Sequence, residues 1–495
     1  MLTLLRTLVL VPHVDVALLP GERFVEAVRL LEEQPLQTVL SVEHELLRLC
    51  RVESLETIGT AGPALASIGP EQHGDELVPQ ELRLYEAIFG RDSLAIANDL
   101  VDYYPQLART TLLTHAMFQG VSFHEAREEE PGRMFHEMRS KDDVIAQQIT
   151  QERGWDWPYY GNVDCNASFV RLLQRYCETS PEGYDFLETA YVDRAKKNRT
   201  IAQALDAALC WLEYRMDSND EGIVEFCSPL PHGIENQVWK DSWDAYHHAD
   251  GTLAHRAGGV SSVEVQASTY EALVVAAELY KKHLANPARA TTLMARAERL
   301  KQAILALYWV QDPVKGGYFA LGTDRDQQGA IRQLSVRTSN MGHVLNTALL
   351  DGDEPPTVAL RDAVVRQLQT PEMLAAAGVR TLASDELRFR AGAYQNGSVW
   401  PWDTHIIANG LRRHGYSDFA SDLDRRLMKA VETTGLLSEY FRGEDVIALN
   451  TTQITLYDDT NHKTNVVEQV PQLVFGATTS AYIDARHLTT QGFIP

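Results

Sequence analysis

Apolar positions recur every three or four residues along most of the chain. Over 264–283 (EVQASTYEALVVAAELYKKH), Val265, Ala272, Val275, Ala276 and Leu279 fall on one helical face. Asn286 and Pro287 follow, an N-cap side chain and a residue whose fixed φ suits a first helical turn, and they open a second helix to about Tyr308. The short link makes the two a helical hairpin. The same periodicity predicts helices over 24–49, 93–103, 105–118, 142–151, 164–176, 199–215, 341–350, 358–368, 398–414, 417–433 and 472–487. Short strands are expected only around 223–226 and 317–320. The reading is one large, essentially all-α domain with minor β-structure.

The stretches between helices are long and unlike linkers. Residues 120–139, 154–164, 220–259, 382–402 and 435–467 are rich in carboxylates and aromatics, including Trp155, Trp157, Tyr159, Tyr160, Trp239, Trp243, Trp400 and Trp402. A flexible linker would be rich in Ser, Gly and Pro. Long ordered loops in a compact domain usually carry a site.

Composition narrows the function classes. With 495 residues and 44% hydrophobic content the chain can bury a large core. Its 45 basic against 68 acidic side chains give a net charge of −23, which repels nucleic-acid phosphates and anionic lipid, so neither is an expected partner. No apolar run approaches the roughly 20 residues that cross a bilayer, and no membrane association is expected. The start, MLTLLRTLVLVPHVDV, reads as a buried strand or docking arm rather than a signal peptide. The 5 cysteines are dispersed without a CxxC pair, which suggests neither a disulfide framework nor a zinc site and fits a reducing cytoplasm. His247 and His248 with Asp250 are poor metal ligands as neighbours, because adjacent residues point in different directions. No metal and no cofactor is expected.

Several loops carry residue types suited to carbohydrate chemistry. Phe89-Gly90-Arg91-Asp92-Ser93 precedes a helix; Asp92 either caps that helix or, with the Arg91 fork, clamps vicinal hydroxyls. The run Glu128-Glu129-Glu130-Pro131-Gly132-Arg133 leads into His136-Glu137-Met138-Arg139 and reads as a fixed loop. Residues 154–164 (GWDWPYYGNVD) suit either a stacking platform for sugar C–H faces or an aromatic core plug. In 236–244 (NQVWKDSWD), two Trp flank Asp241 closely enough to desolvate it, which raises a carboxyl pKa as a general acid requires; Lys240 would oppose this if its ammonium faced the carboxylate. Residues 394–405 (YQNGSVWPWDTH) give a turn, a helix start and a polar pair, and Glu439 lies among apolar neighbours in Leu437-Ser438-Glu439-Tyr440-Phe441. Glycoside hydrolysis needs two carboxylates flanking the scissile bond. Spacing alone does not select which two.

Taken in order, FGRDS at 89–93, EEPGRMFHEMR at 129–139, YYGNVD at 159–164, NQVWKDSWDA at 236–245, EVQ at 264–266, YQNGSVWPWDTHIIANGLRRHGY at 394–416 and LSEYF at 437–441 resemble the amylo-α-1,6-glucosidase domain of glycogen-debranching enzymes and related toroid glycoside hydrolases. The resemblance implies an (α/α)6 toroid, with residues 85–495 forming the catalytic domain and 1–84 packing on it or completing it. It implies inverting hydrolysis of a terminal α-glucosidic bond, with Asp241 as general acid and Glu439 as general base. Arg91 and Asp92 would hold the sugar. Tyr160, Asp164, Trp239, Lys240, Glu264, Gln266, Asn396, Trp400 and His405, all within the matching segments, are the further expected substrate-binding residues. About 85 residues precede the GRD motif, too few for the β-rich N-terminal domain of debranching enzymes. A hydrolase of a small glycoside, such as glucosylglycerate or mannosylglycerate, is therefore the alternative reading. A phosphorylase, an epimerase and a non-catalytic carbohydrate-binding relative are the competing classes. The sequence gives no sign of oligomeric state.

Overall fold

The computed structural model describes residues 87–458, 463–472 and 475–491, together with a strand pair at Gln72–His73 and Glu76–Leu77. The apolar start, the helix expected over 24–49 and nearly all of the 1–84 segment lie outside the described residues.

The described helices are α1 (Gly90–Leu100), α2 (Pro105–Phe118), α3 (Val144–Arg153), α4 (Cys165–Thr179), α5 (Ile201–Met216), α6 (Val263–Lys282), α7 (Pro287–Tyr308), α8 (Asn340–His343), α9 (Pro355–Leu368), α10 (Pro401–Arg413), α11 (Ser417–Thr434) and α12 (Gly476–Gln491). Their starts follow local chemistry. Pro opens α2, α7, α9 and α10, where its missing N–H costs nothing. The Asn286 side chain caps α7 by accepting from the Arg289 amide at 3.1 Å. Thr200 and Gln203 form a reciprocal capping box on α5.

One expected helix is broken. Over 341–350 the apolar run gives only the single turn of α8, then 3-10 turns at Val344–Asn346 and Ala348–Leu350. The segment presses against α10 at two glycines. A Cβ at Gly342 would meet the Ile407 side chain at 2.7 Å, and one at Gly410 would meet the Asn346 amide nitrogen at 2.6 Å. Periodicity reports apolar faces, not this backbone-to-backbone approach.

Packing follows a circuit. α1 packs on α4, α4 on α6, α6 on α8, α8 on α10, α10 on α12, and α12 returns to α1. Outside it, α2 lies on α1 and α4, α5 on α4, α7 on α6, α9 on α8, and α11 on α10 and α12. Two large buried clusters fill the interior, one centred on α4–α7 and the other on α10–α12 with Trp239, Trp400 and Trp402. The sheets are small. The strand expected near 317–320 is Gly316–Phe319, hairpinned with Trp309–Asp312, whereas the one expected near 223–226 reduces to a bridge between Phe226 and Val260.

Candidate active site

The nominated residues cluster where the circuit helices begin. Arg91 and Asp92 lie in the first turn of α1, Asp164 immediately precedes α4, Glu264 is the second residue of α6, and Trp400 immediately precedes α10. Helix N-termini carry partial positive charge, which favours carboxylates there. The start of α1 is fixed by Gly90, whose Cβ would collide with the Phe135 carbonyl oxygen at 2.1 Å, and by pairing of Ile88–Phe89 with Glu137–Met138. Phe89, not Asp92, occupies the N-cap position. Asp92 is thus free of the capping role and lines a cavity.

That cavity, about 130 Å³, is lined by Phe89, Arg91, Asp92, His136, Trp239, Asp241, Tyr394, Gln395, Trp400, Trp402, Glu439, Gln472 and Phe475. Residues far apart in sequence meet here. Arg91 Nε donates to Asp164 Oδ2 at 2.6 Å, while its Nη1 stands 3.8 Å from Asp241 Oδ2. Burial works against the guanidinium charge, but Asp164 and Asp241 outweigh it and raise the Arg91 pKa.

Asp241 sits in a loop braced by Gln395 and Asn396. Gln395 Nε2 donates to the Trp239 carbonyl at 2.5 Å and to Asp241 Oδ1 at 3.3 Å, while its oxygen accepts from the Ser242 amide at 2.8 Å. Asn396 Nδ2 donates to the Asp244 carbonyl at 2.9 Å. Behind the loop, Gln237 Nε2 donates to Glu128 at 2.5 Å, and Glu128 also accepts from Tyr159 and Ser228. The acidic run is therefore a buried anchor for this loop. Lys240 turns away and donates to the Thr381 carbonyl at 2.8 Å; burial lowers its pKa to about 8. With no ammonium facing it, the Asp241 carboxyl is pushed by desolvation up to about 6, against the pull of Arg91.

Glu439 faces the same cavity and is only 3% exposed. Tyr394 Oη donates to its Oε1 at 2.6 Å and the Gln472 amide to its Oε2 at 3.1 Å. Burial outweighs both and raises its pKa to about 7, with Asp92 and Asp241 adding repulsion. Burial likewise pushes Asp92 up to about 6, opposed by Arg91. Trp239 packs edge-to-face on Trp400 and Trp402, and Trp400 stacks on Tyr440 with centroids 5.5 Å apart. Arg91 Nη2 and Trp239 Nε1 are buried donors without a partner among the described residues.

Of the expected residues, Arg91, Asp92, Trp239, Asp241, Trp400 and Glu439 line this cavity, while Asp164 stands behind Arg91 and orients it. The others lie outside its lining. Tyr160 is buried, donating to the Phe118 carbonyl and accepting from Arg194. Gln266 pairs with the Val224 backbone through both its amide atoms. His405 is held between Asp484 at 2.9 Å and Asp424 at 3.6 Å in the interior of α10–α12. Glu264 is buried and accepts from Ser262, while Asn396 and Lys240 tie the Asp241 loop to its surroundings. These six stand outside the cavity lining and have partners within the protein, which buried polar groups need as much as ligands do.

Most of the aromatic segment 154–164 is core. Trp155 stacks on Tyr159 at 3.8 Å, and Trp157, Tyr159 and Tyr160 are buried. Trp155 nevertheless borders a second, larger space. This open cleft of about 700 Å³ is lined by Arg153, Trp155, His232, Glu235, Asp241, Trp243, Thr464, Asn465 and neighbouring residues. Among the described residues Asp241 alone lines both spaces, with 31% of its side chain exposed.

Sequence reasoning missed Phe89, His136, Tyr394, Gln395, Trp402, Gln472 and Phe475. The first five lie in segments already singled out. Gln472 contributes a backbone N–H, which leaves no trace in residue type. Among the described residues, no group of three or more His, Cys, Asp or Glu is placed to hold a metal, and His248 hydrogen-bonds Asp324 at 3.0 Å. No described helix is long and apolar enough to cross a membrane.

The family model of the mannosylglycerate hydrolase MGH1-like glycoside hydrolase domain matches residues 184–446, just over half of the chain. No curated protein matches it. Among solved structures, a GH63 mannosylglycerate hydrolase from Thermus thermophilus in complex with Tris and D-glycerate aligns over 92% of this chain and 100% of its own, at 14% identity and a TM-score of 0.56. The same hydrolase with Tris aligns over 84% and 97%, at 15% identity and a TM-score of 0.54. An uncharacterized conserved protein from Thermus thermophilus aligns over 83% and 95%, at 14% identity and a TM-score of 0.52. At such identities the structures speak for the fold alone.

Proposed function

Because the chain belongs to the mannosylglycerate hydrolase MGH1-like glycoside hydrolase family, we propose that it releases one hexose from a terminal α-glycoside with inversion, using Asp241 as acid and Glu439 as base. The family supports the glycoside hydrolase of the sequence resemblance, though not specifically an amylo-α-1,6-glucosidase. It also favours small glycosides, and mannosylglycerate and glucosylglycerate are the first substrates to test. The closed packing circuit of the described helices supports reading them as an (α/α)6 toroid.

One observation carries the reading: two carboxyls with raised pKa values face a single-hexose-sized cavity that also holds the Arg91–Asp92 pair. The two roles place opposite demands on them. The acid must carry a proton to the leaving oxygen, and desolvation moves the Asp241 carboxyl in that direction, up to about 6. The base must hold a water on the far face of the ring; Tyr394 and the Gln472 amide fix the Glu439 carboxyl for this. The unpartnered Arg91 Nη2 and Trp239 Nε1 are available to sugar hydroxyls.

In the reaction, Asp241 protonates the glycosidic oxygen as its bond to the anomeric carbon breaks. Glu439 takes a proton from the water, whose oxygen bonds to that carbon from the opposite face. The test is incubation with α-mannosides and α-glucosides, including both glycerate glycosides, while following the released hexose by proton NMR. An α-glycoside should first yield β-hexose. First release of the α-anomer would overturn the inverting assignment, and a strict need for inorganic phosphate would move the protein to the phosphorylase class.

A further inference from the structure

Asp241 is the point where two spaces of different character meet. The inner cavity is lined by both Asp241 and Glu439, whereas the outer cleft is lined by Asp241 without Glu439. Inversion fixes what each must contain. The base stands on the water side of the anomeric carbon and the acid on the leaving-group side. Given the proposed roles, on which this inference rests, the outer cleft is therefore the leaving-group site.

Its size and lining bear on what leaves. The cleft measures about 700 Å³ against about 130 Å³ for the hexose cavity. A three-carbon acid would leave most of it to water. Trp243, two residues beyond Asp241, is half-buried in its wall, and its indole N–H donates to the Val466 carbonyl at 3.3 Å, which holds the ring against the hairpin Ile454–Asp458/Lys463–Glu468. The Arg256 guanidinium also grips the Trp243 carbonyl and pairs with Glu235 at 3.2 Å. A fixed indole offers an apolar face for the C–H side of a pyranose. Around it, Thr464, Asn465, His232, Glu235 and Glu152 supply neutral and acidic partners that suit hydroxyl groups. Among the described residues of the lining, Arg153 is the one cation, and it lies 5.2 Å over the Trp155 ring.

We propose that the cleft beyond Asp241 is a saccharide-binding subsite centred on Trp243, so that the preferred substrate carries at least one further sugar ring as its leaving group.

The test uses the full-length enzyme and the hexose it releases. Three substrates of that hexose are compared: the α-fluoride, whose leaving group needs no cleft, the α-glycosylglycerate, and a set of α-linked disaccharides and trisaccharides. The expected result is a kcat/KM at least tenfold higher for the best oligosaccharide than for the glycosylglycerate. In Trp243→Ala the oligosaccharide-to-fluoride ratio of kcat/KM should fall at least tenfold, and in Trp243→Phe, which keeps an aromatic face, by less than threefold. A glycosylglycerate equal to or better than every oligosaccharide would overturn the proposal while leaving the hydrolase reading intact. So would an unchanged ratio in a folded Trp243→Ala. Absence of turnover on all three, fluoride included, would instead remove the hydrolase reading and this proposal with it.

Discussion

Burial of Asp241 and Glu439 sets a particular pH behaviour. As the proposed base, Glu439 must be ionised, and with its pKa raised to about 7 its ionised fraction grows as pH rises through that value. As the proposed acid, Asp241 must be protonated, and with its pKa raised to about 6 its protonated fraction shrinks as pH rises through that one. The acid's value lies below the base's, so the active form is a minor population and kcat/KM should trace a narrow bell peaking between about 6 and 7. Asp241→Asn should lower kcat/KM on unactivated glycosides by about 100- to 10,000-fold, the usual worth of general acid catalysis. On a glycosyl fluoride the same variant should lose its alkaline limb and little rate, whereas Glu439→Gln should be severe on both substrates. Both carboxylates were nominated through motif resemblance, since spacing could not choose them among 68 acidic residues. The two-Trp reading of Asp241 holds physically, because Lys240, the one neighbour able to cancel it, donates to Thr381 instead. His405 stood equally high in its motif yet serves α10–α12 packing. Sequence presents a polar residue within a motif in the same form whether its partner is a ligand or a buried carboxylate such as Asp484.

Amphipathic spacing located the helices well, because a helix that buries one face must repeat its apolar residues every three to four positions. Where it failed, at 341–350, the deciding contact involves glycines and backbone. This makes Gly410 a sharp test. In isolation Gly→Ala within α10 would favour the helix by about 1 kcal/mol. The added Cβ, however, would lie 2.6 Å from the Asn346 amide nitrogen and 2.7 Å from the Leu345 carbonyl carbon, neither of which can rotate aside. Overpacking of this kind costs about 1–3 kcal/mol, so the net effect of Gly410→Ala should be destabilising. Equilibrium unfolding in urea checks it, and a rise in midpoint would show that the α8–α10 contact yields easily. The long loops were recognised as ordered from their aromatic and carboxylate content, but their arrangement was not legible. Glu128 reaching Gln237 and Gln395 reaching Asp241 join positions more than a hundred residues apart, and no local pattern records such pairs.

At the scale of the molecule, the largely helical class was legible from periodicity, whereas the closed circuit of helix contacts was not, because the contacts that close it are the most distant in sequence. The closing pair is α1 with α12. Ser480 donates to Asp99 at 2.8 Å and Tyr103 to Asp484 at 2.8 Å, each across 381 positions. Removal of residues 475–495 should therefore strip the partners from Asp99, Tyr103 and His405 together, and the shortened chain should lose its cooperative thermal transition by circular dichroism. A retained transition would mean that α12 is an ornament on a self-sufficient circuit. The seam also has a consequence for biosynthesis. At about 5–20 residues per second, α12 leaves the ribosome roughly 20–80 seconds after α1. Throughout that interval the nascent chain carries Ile96, Leu100 and Leu107 on a surface whose partners in α12 have not yet been made. The growing polypeptide is thus obliged to wait with an open apolar flank. Chaperone supply during translation, more than the stability of the finished ring, should set the yield of active protein.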